Sequence, residues 1–241
     1  MRRPAGFMVI CYIWYMSTKI IISVDTETGG LFPDKHPLLQ IGMGIYVIDM
    51  STLAYTAYRE CEWNLKPSQF TADGTRTLDP EAMKINHLDQ EALERDGFMV
   101  SEVSRSIREL LVQARKECGR LSVLGQNYTF DRGFLHEYLP ADTFADLDLN
   151  QQIDLLTLSG AYNSIVSTDW DNPPSRSLGN MCRRLGVTND DAHTALSDAR
   201  ATFLCYVALQ KKFREVGRII EIGNDLTLKH NELTVLLTDM T

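Results

Sequence analysis

Three short stretches of this chain set acidic and imidazole side chains at spacings that could do chemistry. The first is Asp25-Thr26-Glu27, which follows the largely β-branched run Ile20–Val24 and precedes Gly29-Gly30. Such a run reads as a strand buried on both faces, and strand alternation sends Asp25 and Glu27 to one side of the sheet. Two carboxylates held together at the end of a buried strand repel each other and resist leaving water, unless a cation holds them. The pair therefore points to a divalent metal site. The second stretch carries Asn127 and Asp131, four apart, which on a helix would share one face. The third carries His193 and Asp198. They are five apart, off a single helical face, so His193 is expected in the loop before a helix, where its ring can swing.

The elements that must position these residues can be read in order. After the strand through Val24, a loop with two prolines covers 31–37, and Leu38 to Asp49 forms a second strand with Gly42 and Gly44 allowing close backbone approach. Ser51-Thr52 is a turn, and 53–63 returns as a third, antiparallel strand. Residues 65–78 read as loop. Asp79-Pro80-Glu81 starts a short helix through Asn86, with Pro in the first turn. Val103, Ile107, Leu110, Leu111 and Ala114 recur at helical spacing, giving an amphipathic helix over 100–117 that stops at Gly119. A short strand over 121–124 leads through Gly125-Gln126-Asn127 into a helix that ends near Pro140. Residues 153–158 read as the fifth strand and its exit. Ser177 to Leu185 is a helix capped by Ser177 and ended at Gly186, and a long helix runs from the Asp198 region to about Arg214. Three strands in a meander, then strands alternating with helices, give an α/β fold.

The chain as a whole sets bounds. Its 241 residues suit one domain with a sizeable core, and 44% hydrophobic with 23% charged residues is the make-up of a globule that folds in water. The formal net charge of −8 argues against nucleic-acid binding by overall basicity. It leaves room for an enzyme acting on nucleic acid, because acids that hold metals inflate the count and the metals return positive charge locally. Cys11, Cys61, Cys118, Cys182 and Cys205 are scattered, without zinc-type spacing. They read as reduced thiols, with a cytoplasmic location. Arg2-Arg3 and the apolar run 7–16 have the outline of a signal peptide but lack a small-residue cleavage site. A start at Met16 is the favoured reading, with 1–16 as an N-terminal extension. No membrane association is expected.

The three stretches, VDTETGG, GQNYTFDRGFL and AHTALSDA, resemble in order the three motifs of the DnaQ-like (DEDDh) 3′→5′ exonuclease family. LDPEAMKINHL also resembles the family's Pro-Glu-Ala stretch, with His87 where a glycine is usual. The resemblance covers about Lys19 to Arg214. It implies a ribonuclease H-like mixed five-stranded sheet flanked by helices, an exonuclease domain over 17–215, and a C-terminal appendage over 216–241. It further implies that Asp25, Glu27, Asp131 and Asp198 are the carboxylate ligands of two Mg²⁺ ions, or Mn²⁺, lying about 3.5–4 Å apart. His193 would be the general base. Thr26, Thr28, Gly29 and Asn127 would meet the substrate.

The implied activity is release of nucleoside 5′-monophosphates from the 3′ end of single-stranded nucleic acid, DNA favoured. RNA 3′-end trimming and a non-catalytic binding subunit are the alternatives. A polymerase or another protein is a candidate partner. Taken singly, the residues also fit plainer roles. Asp131 could pair with a surface cation, Asp198 could serve a helix N-terminus, His193 could cap, and Asn127 could bond the loop backbone. Arg176, Arg183 and Arg184 could touch phosphates or form a solvated face.

Overall fold

The structure is a computed structural model that describes residues 18–118, 121–148, 151–167 and 171–238. The N-terminal extension and the two candidate start sites lie outside the described residues. Strand β1 (Thr18–Thr28) is the centre of a five-stranded sheet of order β3-β2-β1-β4-β5. On one side it pairs antiparallel with β2 (Leu38–Asp49), and β2 in turn pairs antiparallel with β3 (Tyr55–Asn64). On the other side it pairs parallel with β4 (Leu121–Gly125), and β4 with β5 (Gln151–Asp154). The mixed α/β sheet is the one the sequence predicts.

Among the described residues there are nine helices. They are α1 (Ser68–Thr71), α2 (Pro80–Asn86), α3 (Gln90–Asp96), α4 (Val100–Cys118), α5 (Tyr128–Tyr138), α6 (Ala141–Asp148), α7 (Leu155–Val166), α8 (Leu178–Leu185) and α9 (Ala195–Thr238). They form a layer on each face of the sheet. Ile20, Ile22 and Val24 of β1 join a core with α4, α5 and α6, while Ile21 joins a second core with α7, α8 and α9. The strand is apolar on both faces because both faces are covered, and burying each such side chain contributes about 1.5–3 kcal/mol. Where the alternation reaches Ser23, its hydroxyl donates to the Ala199 carbonyl of α9 at 2.7 Å. Asp25 and Glu27 follow Ser23 on that same face.

Several boundaries differ from the sequence reading. Residues 155–158 continue as helix, not strand, because the Asp154 carboxylate accepts from the Leu156 amide and caps α7 at once. Leu53 turns with φ 63°, so β3 starts two residues later, at Tyr55. The 65–78 loop contains the single turn α1. Ser177 precedes α8 but makes no side-chain cap, whereas Gly186 does end that helix in the left-handed conformation. The last helix does not stop near Arg214; it continues unbroken to Thr238, with 217–225 exposed. Among the described residues no helix is long and apolar enough to cross a membrane.

Candidate active site

Because β1, β4 and β5 are parallel, their C-terminal ends share one edge of the sheet, where open α/β sheets form sites. Asp25 and Glu27 emerge there from β1. Asp131 arrives from the first turn of α5 and is buried (3% exposed). Its Oδ1 accepts both the backbone N–H and the hydroxyl of Thr26, each at 2.8 Å, so α5 is pinned to β1 between the two strand acids. Asp198 comes from the first turn of α9, and its Oδ1 accepts from Asn189 Nδ2 at 2.6 Å. Glu27, His193 and Asp198 each offer a ligand atom within 4.8 Å of the others'. His193 does sit in the loop before α9, exposed, with φ 72°.

What brings α9 to this edge is a close approach at Gly42, which pairs with Asp25 across β1 and β2. A Cβ on Gly42 would collide with the backbone of Ala195 and Leu196. No other residue leaves room for the helix to land. The landing is then fixed by side chains of the neighbouring strands: Gln40 Oε1 accepts from the Ala195 N–H at 2.7 Å, and Glu62 Oε2 from the Leu196 N–H at 3.0 Å. These acceptors satisfy the free amides of the helix start from across the sheet.

The cluster is electrostatically strained. Burial holds the Asp25 carboxyl well above the usual carboxylate range, and the charges of Asp131, Asp198 and Glu27 push it further. Burial, with Asp198, Asp131 and Glu62 nearby, pushes Glu27 up to about 8. Burial pushes Asp131 up to about 7, against the opposing bonds from Thr26. Three carboxylates held above the ordinary range, with the Asp198 carboxylate beside them, offer a set of hard oxygen atoms that fits divalent cations such as Mg²⁺ or Mn²⁺. This has a thermal consequence. Without metal, the native carboxyls hold protons that the unfolded chain, with carboxyls near 4, releases. Stability is therefore full at low pH and is lost as pH rises from about 4 toward 8. Melting in EDTA is expected to fall by several degrees between about pH 5 and pH 8, each 1 kcal/mol being worth about 2–4 °C, and Mn²⁺ should restore most at pH 8. A melting temperature that rises with pH in EDTA would contradict this electrostatic picture.

The predicted substrate-side residues fare differently. Thr26 is spent on Asp131, Thr28 Oγ1 donates to the Gly30 carbonyl, and Gly29 bonds Pro37 and Asp79 through its backbone. Asn127 is not on α5 sharing a face with Asp131. It precedes the helix at φ 60°, exposed, with its N–H on Asp154 Oδ1 at 2.9 Å. Asp154 thus holds the β4–α5 corner and caps α7. An Asp ahead of an apolar helical run was the signal for that role. Gln40, Glu62 and Asn189 carried no local signal. His87 is left-handed (φ 55°), which explains why a glycine would suit this helix end, and its ring meets that of His193 edge to face with centroids 6.3 Å apart.

The sheet thus gathers the carboxylate cluster and the histidine at one edge, and Glu27, His193 and Asp198 form a group that could hold a metal ion. The profile of the RNase_T family, described as Exonuclease, matches residues 22–206, and the chain belongs to this family of DnaQ-like exonucleases, whose members depend on divalent metal. It is similar to ribonuclease T of Marinobacter nauticus, 27% identical over 211 residues that span 81% of this chain and 84% of that protein. It is likewise similar to the 3′-5′ DNA exonuclease Cap18 of Escherichia coli, 26% identical over 186 residues, 76% of this chain and 87% of that one. Exonuclease I of E. coli in complex with a dT13 oligonucleotide shares the fold, with a TM-score of 0.61 at 19% identity. The match covers 85% of this chain but 43% of exonuclease I, so this chain spans under half the length of that enzyme.

Proposed function

We propose that the chain hydrolyses single-stranded nucleic acid from its 3′ end, DNA favoured, releasing nucleoside 5′-monophosphates with two Mg²⁺ or Mn²⁺ ions. The observation that carries this reading is the cluster of mutually destabilised carboxylates beside an exposed histidine. Asp25, Glu27, Asp131 and Asp198 would hold the ions, which when bound help generate the nucleophile and offset charge on the attacking and leaving oxygens. His193 takes the proton of the attacking water, its exposed loop position letting the ring approach and withdraw. The end of β1, from Thr26 through Thr28 to Gly29, forms a wall whose polar groups are already bonded, so it shapes the seat of the terminal nucleotide. Asn127 offers an amide at the rim. The profile's span supports taking 17–215 as the nuclease unit, with 216–241 an appendage whose residues up to Thr238 continue the same helix.

Trimming of RNA 3′ ends is the second reading, favoured by the likeness to ribonuclease T. Parallel assays of 5′-labelled DNA and RNA strands of one sequence with Mg²⁺ separate them. Faster stepwise shortening of DNA supports the first reading, and faster shortening of RNA the second. No shortening of either strand by folded protein, with and without a 3′-hydroxyl, overturns both.

A further inference from the structure

Between α7, α8, α9 and the segment before α8, two adjoining cavities of about 220 and 250 Å³ share Asn163, Ser167 and Pro174. Their walls are mainly apolar, with Leu185 and Leu209 among them, but two buried polar side chains stand in them: Ser159 is 2% and Asn163 8% exposed. The Asn163 Nδ2 is buried and has no hydrogen-bond partner. Two guanidinium groups stand at the rim. Arg184 reaches Asn163 Oδ1 and Ser159 Oγ only at 3.4 Å each, the long limit of a hydrogen bond. Arg176 lies over Gly160, where a Cβ would come within 2.9 Å of its Nη1.

Among the described residues neither arginine has a carboxylate partner, unlike the ion-paired Arg76, Arg108, Arg115, Arg132 and Arg200, and what sets the two apart from other unpaired arginines is the buried amide between them. In a chain of net charge −8, two cations without acids around an unsatisfied buried amide make a site for an oxyanion. The pocket is also tied to the catalytic edge. Gln126 Nε2 donates to the Arg176 carbonyl at 2.7 Å, and the next residue, Asn127, begins the corner that carries Asp131.

We propose that Arg176, Arg184 and Asn163 hold a backbone phosphate of the strand whose 3′ end occupies the active site. This rests on the exonuclease reading and adds to it a length-dependent subsite. A bound strand would give Asn163 Nδ2 the acceptor it lacks and draw the two guanidinium groups together on one phosphate.

The test compares a dinucleotide with a series of longer oligothymidylates, using wild type and R176Q/R184Q, with folding checked by circular dichroism. For wild type, kcat/KM should rise with length. In the variant the ratio of long-strand to dinucleotide kcat/KM should fall about tenfold, and the salt dependence on the long strand should flatten by about 0.7 of a unit of log–log slope for each phosphate no longer neutralised. A folded variant with wild-type ratio and slope overturns the subsite. If wild type cleaves neither substrate, the exonuclease reading itself has failed. Anisotropy with a labelled oligothymidylate then still judges the pocket, and equal affinity for both proteins overturns it.

Discussion

Replacing Asp25 with asparagine is expected to reduce turnover by on the order of 10³–10⁴-fold, about 4–5 kcal/mol of barrier at 1.36 kcal/mol per decade, while raising the melting temperature of the metal-free protein. Both effects have one cause. Asp25 stands at the centre of the cluster, held far from its ordinary titration by burial and by three neighbouring carboxylates. Asparagine keeps the shape but removes a charge that is unfavourable in the absence of metal and required in its presence. Stabilisation by Mn²⁺ should shrink accordingly. Kinetics and thermal melts with and without metal check this together. A variant that turns over at the wild-type rate, or melts lower than wild type in EDTA at pH 8, would falsify the assignment.

Replacing His193 with alanine is expected to lower kcat by about 10²–10⁴-fold, the usual contribution of a positioned base. Metal-induced stabilisation and KM for oligonucleotide should stay near wild type. The ring is exposed in a loop and bonds to no core element, so its loss costs little folding energy. Added imidazole should recover part of the rate. A loss of metal stabilisation in step with the rate would instead make His193 a ligand, which its place within 4.8 Å of Glu27 and Asp198 ligand atoms makes worth measuring.

Much of this architecture was legible because it is periodic or locally punctuated. The span of β2 and the limits of α2 follow from apolar runs and from an Asp-Pro-Glu start. The six predicted chemistry-bearing residues fall at one edge of the sheet because motif order and strand polarity constrain where strand ends meet. The misreadings share a different property. Leu155, Leu156 and Leu158 look like the end of a strand until Asp154 caps the following turn, a choice between two states that apolar composition does not decide. Asn127 looked like a helix-face partner of Asp131, yet a residue that readily turns left-handed became the corner instead. Gln40 and Glu62 were illegible for a third reason: each meets α9 across more than a hundred residues of chain, and nothing near either residue announces the contact.

The contact of α9 with Gly42 has a temporal meaning. Asp25, Glu27 and Asp131 belong to the part of the chain made earlier, whereas Asp198 rides on α9 and His193 just precedes it, a helix synthesised well after the sheet that seats only against a bare glycine backbone. A chain still emerging from the ribosome without this segment lacks Asp198 and His193 altogether, and domains fold as units once all their elements have arrived.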